Sequence, residues 1–239
     1  MSPETERAEA LLAAGGASPE HVPRLAQYAA LVLDANRKFN LTGARTIDEF
    51  VPHILDSLTV VPYIRTPYVD VGSGGGLPGI PVAIVTGART LLVEATAKKA
   101  AFLREAISAL GIDAEVATAR AEDAGRKPEL RQQFVTATAR AVATAPTALE
   151  LTAPLLAVGG VAILQRGSMD VTERTALEGA ALMLGCVVDA EVALEGERRL
   201  ILVRKTSATP ERFPRRAGIP EKRPLCSLNV PRGTLGAII

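Results

Sequence analysis

The 239-residue chain has no tryptophan, three tyrosines, five phenylalanines, two histidines and two cysteines. Each scarcity removes a class of chemistry. His21 and His53 are the whole histidine complement, and Cys186 and Cys226 stand alone without a CxxC pair, so neither a zinc cluster nor a disulfide framework is expected. Phe102 and Phe134 fall at expected core positions, which leaves Phe213 or arginine planes for any stacking on nucleobases. No apolar run approaches the roughly 20 residues that span a bilayer. Residues 1–9 are acidic and polar, unlike a secretory leader. These absences predict a cytoplasmic protein with no metal and no membrane partner.

What is present suits a folded enzyme. The chain is 48% hydrophobic, and chains of this length remove roughly 70–75% of their unfolded surface from water. The net charge of +1 hides an asymmetry: residues 198–223 carry nine Lys/Arg against Glu211 and Glu221, whereas residues 1–66 are net acidic. The basic stretch reads either as a solvated tail or as a face for a polyanion.

Apolar periodicity predicts helices between residues 19 and 64, separated by Asn40-Leu41-Thr42-Gly43. From Tyr68 short apolar runs alternate with amphipathic stretches: Tyr68–Val71, Leu91–Glu94, Glu115–Thr118, Phe134–Ala139, Val161–Leu164, Val187–Val192 and Leu200–Val203. Lys98–Leu110 reads as a helix closed by Gly111. This alternation is the pattern of an α/β fold with a doubly wound, mostly parallel seven-stranded sheet. The last two strands, joined by Glu195-Gly196-Glu197, read as an antiparallel hairpin. Three regions are expected: a helical N-terminal segment over 1–66, a ligand-binding domain over 67–206, and a basic Pro/Arg-rich tail over 207–239.

The strongest local signal is Val69-Asp70-Val71-Gly72-Ser73-Gly74-Gly75-Gly76-Leu77-Pro78-Gly79. A buried strand feeds a glycine turn, where a ligand can approach amides that a Cβ would shield. Glu94 closes the next strand, where a carboxylate can accept the ribose hydroxyls of an adenosine. Gly74 to Gly79 also fits GxGxxG, so a nicotinamide-dependent oxidoreductase stays open. Asp70 before the turn, able to serve a positively charged cofactor end, and the closing hairpin favour S-adenosylmethionine. A same-fold methyltransferase acting on a small molecule or a protein is a further alternative.

The segment Arg140-Ala141-Val142-Ala143-Thr144-Ala145-Pro146 after the fourth strand lacks the Asn/Asp-Pro-Pro-aromatic cluster of enzymes that methylate exocyclic amines. Neither cysteine lies near a ligand-side strand end, as carbon methylation of pyrimidines would need. A nitrogen with a free lone pair, such as guanine N7, needs neither device and no general base.

The sequence resembles the RsmG (GidB) family of bacterial methyltransferases that modify guanine N7 in 16S rRNA, over roughly residues 30–225. The resemblance rests on Asn36, Asn40-Leu41-Thr42, His53 to Ser57, the Asp70 to Ile80 turn, Glu94 to Lys99, Ala121-Glu122, Arg140 to Ala143, and Thr209 to Pro220. It implies a Rossmann-like class I methyltransferase that binds S-adenosylmethionine and acts on 16S rRNA within the small ribosomal subunit or a precursor, as a monomer. By the same resemblance Gly72 and Leu77 meet the methionine part of the cofactor. Glu94 with Ala95, Thr96 and Ala97 meets the ribose and adenine edge, Ala121 and Glu122 the adenine end, and Arg140 the cofactor beyond the fourth strand. Gly74 and Gly76 complete the expected set. Glu94 stands where many members have Asp, Arg166 where Lys is typical, and Phe213 where Tyr is common. Arg212, Arg215, Arg216, Lys222 and Arg223 are the expected RNA contacts. His53, Asp56 and Ser57 share a helical face and either lean over the cleft or cross-link helices. Asn40 and Thr42 are expected as turn and capping residues, and Lys98 and Lys99 as solvated surface.

Overall fold

The computed structural model describes residues 2–225. The chain divides into two compact units between Ala119 and Arg120.

Three helices open the first unit: α1 (Pro3–Ala14), α2 (Val22–Lys38) and α3 (Ile47–Leu58). At the start of α3, Thr46 Oγ1 accepts the Glu49 N–H (3.3 Å) and Glu49 Oε2 accepts the Arg45 N–H (2.6 Å). The exchange satisfies donors that a first helical turn leaves without partners. Strand and helix then alternate: β1 (Tyr68–Val71), α4 (Gly79–Thr86), β2 (Thr90–Glu94), α5 (Ala97–Leu110) and β3 (Ala114–Thr118). The strands are parallel, β1 beside β2 with Val69 opposite Leu91, and β2 beside β3 with Leu92 opposite Val116. β1 is buried along its whole length, whereas β3 is nowhere fully buried. α5 ends at Gly111 with φ +58°, the left-handed cap that the sequence predicts.

Leu12, Leu25, Tyr28, Phe50 and Ile54 lie in one apolar cluster with Ile80, Leu92, Leu103 and Leu110. The N-terminal helices form one wall of the core that also holds α4, β2 and α5. Each large apolar side chain fully buried there contributes about 1.5–3 kcal/mol, which fixes α2 against the elements bearing the glycine turn.

The second unit contains α6 (Ala121–Ala124), β4 (Phe134–Arg140), α7 (Ala145–Thr152), β5 (Leu156–Arg166), α8 (Val171–Leu184), β6 (Cys186–Ala193), β7 (Arg199–Lys205) and α9 (Ile219–Lys222). β4 and β5 are parallel, with Ala137 opposite Ala162. β7 runs antiparallel to β5, and β6 antiparallel to β7, so the expected closing hairpin is present. Beyond β7 the Thr206 and Ser207 N–H groups donate to the Gly185 carbonyl (2.8 and 3.0 Å), turning the chain back over its own unit. The expected tail is thus an ordered strap as far as Leu225, and residues 226–239 with Cys226 lie outside the described part.

Candidate nucleoside and nucleic-acid sites

Backbone and side-chain groups together hold the glycine turn of the first unit. Gly72 and Ser73 N–H donate to the Val93 carbonyl (2.9 and 3.1 Å), Gly76 N–H to Ser73 O (2.6 Å), and Ile80 N–H to Gly76 O (2.7 Å). Gly72, Gly74 and Gly76 have φ of +74°, +55° and +104°. At two positions glycine is required by space as well. A Cβ on Gly76 would lie 2.6 Å from Ile80 Cδ1, and one on Gly79 would lie 2.3 Å from Leu92 Cδ2 and 2.9 Å from Asp70 Oδ2.

Asp70 is wholly buried. Its Oδ2 accepts the Gly79 N–H (3.3 Å), and its carbonyl accepts the Ser73 hydroxyl (3.0 Å). Asp70 lies beneath the turn, where its carboxylate holds the start of α4.

Glu94 lies at the carboxyl end of β2 and is 7% exposed. Its Oε2 accepts the Gly74 N–H (2.9 Å) and its Oε1 the Thr96 N–H (2.7 Å), stapling the turn to the next strand end. A carboxylate offers about four acceptor positions, so capacity remains for two hydroxyl donors. Gly72, Ala95, Thr96 and Ala97 are exposed around it, and Leu77 is half-buried.

Two supports escaped the sequence reading. Tyr28 on α2 is fully buried, and its hydroxyl donates to the Gly75 carbonyl (2.8 Å). The available signal was a tyrosine on an apolar stripe, because a buried phenol needs a polar partner. Asn36 accepts the N–H groups of Leu41 (2.8 Å) and Thr42 (3.0 Å) and donates to Ala44 O (2.8 Å). It sets the loop that brings Leu41 against Gly75. Thr42 Oγ1 accepts the Ala44 N–H (3.3 Å), the expected turn role. On α3, His53 is exposed with its ring edge toward Phe50, and the Ser57 hydroxyl donates to His53 O (2.7 Å), a bond within the helix.

In the second unit Glu122 is 3% exposed, and its Oε1 accepts the Gly218 N–H (2.7 Å) and an Arg120 N–H (3.4 Å). Burial pushes Glu122 up, but the N–H groups of Gly218 and Glu122 itself, with the Arg120 charge, outweigh it. Its carboxyl is held below the ordinary value. That carboxylate anchors the strap. Ala121 beside it is half-buried, and Arg140 ends β4 half-buried opposite Gln165.

The nine cations of residues 198–223 separate into distinct kinds. Arg198, Arg199 and Arg204 pair with Glu195, Glu191 and Asp189. Lys205 is buried and donates to Ala153 O (2.7 Å). Arg215, expected on RNA, turns inward instead: Glu150, fully buried, accepts its backbone N–H (2.8 Å) and its guanidinium (2.6 to 3.1 Å). Phe213 is 3% exposed with Arg212 over its ring at 5.1 Å, so the expected base-stacking role does not hold for it. Arg212, Arg216, Lys222 and Arg223 remain exposed, with no carboxylate partner among the described residues. Arg131 fixes the strap that carries them, donating to the carbonyls of Thr209 (2.8 Å) and Phe213 (2.9 Å).

Residues 21–202 match the family model described as GidB, rRNA small subunit methyltransferase G. A protein of Rubrobacter xylanophilus named ribosomal RNA small subunit methyltransferase G is 42% identical over 224 residues, 87% of this chain and 85% of the relative. Its namesake in Pelotomaculum thermopropionicum is 39% identical over 86% of this chain and 91% of the relative. Among solved structures, a branched-chain polyamine synthase from Thermus thermophilus superposes with TM-score 0.55 at 14% identity, over 77% of this chain and 64% of that one. A ribosomal protein L11 methylase from Lactobacillus delbrueckii gives TM-score 0.51 at 14% identity, over 70% and 81%. At that identity the likeness is one of fold, the Rossmann-like α/β architecture expected from the alternation of strands and helices.

Proposed function

The chain belongs to the GidB family of small-subunit rRNA methyltransferases, and on that premise we propose that it methylates N7 of a guanine in 16S rRNA, within the small ribosomal subunit or a precursor. It acts as a cytoplasmic monomer. The observation that carries the reading is Glu94, whose two oxygens staple the glycine turn yet keep acceptor capacity for a pair of ribose hydroxyls. Family membership removes the nicotinamide alternative that GxGxxG left open.

The first unit's residues fit S-adenosylmethionine. Exposed Gly72 and half-buried Leu77 border its methionine part, Gly74 and Gly76 set the bare-backbone bend, and Ala95, Thr96 and Ala97 leave the rim beside Glu94 without a large side chain. Asp70 acts through the turn it supports. When bound, the cofactor supplies a methyl group made electrophilic by a sulfonium. Guanine N7 carries a lone pair and no proton at neutral pH, so the protein has no proton to remove there. Its contribution is orientation, which can lower a barrier by about 7–11 kcal/mol. Arg212, Arg216, Lys222 and Arg223 meet RNA phosphates, which position a substrate without reading its bases.

Labelled cofactor incubated with unmodified small subunits and with naked rRNA tests the reading. The expected product is a label on a single guanine N7, and a label on another atom or on neither substrate defeats it.

A further inference from the structure

The segment after β4 carries a strain that the proposed reaction has not yet used. Ala141 and Ala143 have φ of +53° and +45°, left-handed backbone that a Cβ disfavours. Strain of this kind persists only where the surroundings over-determine it, and it gathers at functional sites. At its Ala143 end the segment is held by two side chains on regular elements. Arg166, the last residue of β5, donates through Nη1 to the Ala143 carbonyl and through Nη2 to Glu173 Oε1 (2.9 Å). The same Glu173 oxygen accepts the Ala145 N–H (2.8 Å), so one carboxylate holds both the arginine and the end of the segment. Glu173 is fixed in turn: it sits in the first turn of α8, where its own N–H donates to Asp170 Oδ1 (2.7 Å). Both side chains are largely buried, at 17% and 22% exposure.

The strained segment leaves the carboxyl end of β4, the edge at which open α/β sheets place their ligands. Ala141, Val142 and Ala143 have only apolar side chains, so their backbone is the only polar surface they offer to a nucleobase. We propose that Arg166 and Glu173 are positioning residues that hold Arg140–Thr144 in the conformation that receives the target purine. The inference rests on the RNA methyltransferase reading, with Arg166 acting through the Ala143 peptide and touching no reactant. Without the pair the two alanines relax to negative φ, and the segment loses the shape that orients the base.

The test uses the full chain, labelled cofactor and unmodified small subunits, with cofactor affinity by calorimetry and melting temperature measured beside kcat and KM. Misplacement of reacting atoms by about 1 Å can lower a rate about a hundredfold. Arg166→Ala is expected to lower kcat by about tenfold to a hundredfold and, because it breaks a largely buried pair, to lower the melting temperature, with cofactor affinity measured well below that temperature close to that of the unaltered protein. Arg166→Lys, which keeps one donor, recovers part of the rate. Glu173→Gln, which keeps an acceptor for Ala145 but loses its charge, gives a smaller fall and serves if Arg166→Ala does not fold. Unchanged turnover in Arg166→Ala and Glu173→Gln overturns the inference while leaving the methyltransferase reading intact. A loss of rate matched by an equal loss of cofactor affinity in the folded variant also overturns it, since that marks a general structural role. No label with the unaltered protein removes both proposals.

Discussion

The glycine turn and the C-terminal strap are both ordered ligand-facing candidates, but different physics fixes them. In the turn the constraints are conformational and mostly short in sequence: Asp70 reaches Gly79 across 9 residues, and Glu94 reaches Gly74 across 20. In the strap they are ion pairs and charged hydrogen bonds between distant residues: Glu150 meets Arg215 across 65 residues, Arg131 meets Phe213 across 82, and Glu122 meets Gly218 across 96. Three left-handed glycines and two close approaches define the turn. The strap's chemistry depends on which of its cations a distant carboxylate has already taken.

The largest expected effect separates an anchored strap from a solvated tail. Glu150 is fully buried and joined to Arg215 by several hydrogen bonds, so Glu150→Ala leaves the guanidinium without its partner. Breaking a buried pair of this kind costs about 3–5 kcal/mol. Arg215 keeps some exposure, so the lower end, about 3 kcal/mol in urea unfolding, is expected. A change within about 0.5 kcal/mol, as for an ordinary surface substitution, would sink the idea of an anchored strap.

Within the turn, space and conformation can be separated. Gly79→Ala forces a methyl group against Leu92 and Asp70, and overpacking typically costs about 1–3 kcal/mol. Gly74→Ala meets only the Gly72 carbonyl, at 3.9 Å, but keeps φ at +55°, a penalty of about 1 kcal/mol. Unfolding curves should place Gly79→Ala below Gly74→Ala in stability. The reverse order means the turn is set by left-handed conformation rather than by close approach.

A smaller change concerns RNA. Removing Arg216 and Lys222 together is expected to weaken RNA binding and make its log-log salt dependence shallower by about 0.7–0.9 for each cation. Arg204→Ala is the control, because that arginine already pairs with Asp189 at 3.0 Å. Filter binding at several salt concentrations reads both. Equal effects from the two sets would mean that paired and unpaired cations serve RNA alike.

What was legible follows from the range of each interaction. Strand and helix alternation, the Gly111 cap, the closing hairpin and the turn from Asp70 to Gly79 came from periodicity and backbone rules acting over a few residues. Tyr28 reading the Gly75 carbonyl, Asn36 setting the loop at Leu41, and the apolar wall formed by α1 to α3 depend on packing between distant elements. A basic count cannot distinguish Arg215, held by Glu150, from Arg216, which is exposed. Nor does composition reveal that Ala141 and Ala143 are left-handed, because alanine carries no signal for that conformation.

The smallest expected effect, on pH dependence, comes from the one strap-root cation that is buried. Lys205 faces Cys186 across the β6–β7 ladder. Burial pushes Lys205 down from 10.5 to about 8 and pushes the Cys186 thiol up from 9.0 to about 11. For Lys205 the unfolded chain binds more protons than the folded one between about 8 and 10.5, so its contribution to stability rises with pH across that window. For Cys186 the folded chain binds more protons between 9.0 and about 11, so its contribution falls there. The two trends overlap above 9.0 and largely cancel, leaving a shallow gain from pH 8 to 9 in the unaltered protein. Cys186→Ala removes the fall and lets stability climb to about pH 10.5, whereas Lys205→Met removes the rise and leaves a decline beginning near pH 9. Urea unfolding from pH 7.5 to about 10.5 reads both slopes. A flat profile in Cys186→Ala over that range would mean that Lys205 titrates as an exposed lysine and belongs with the free cations of the strap.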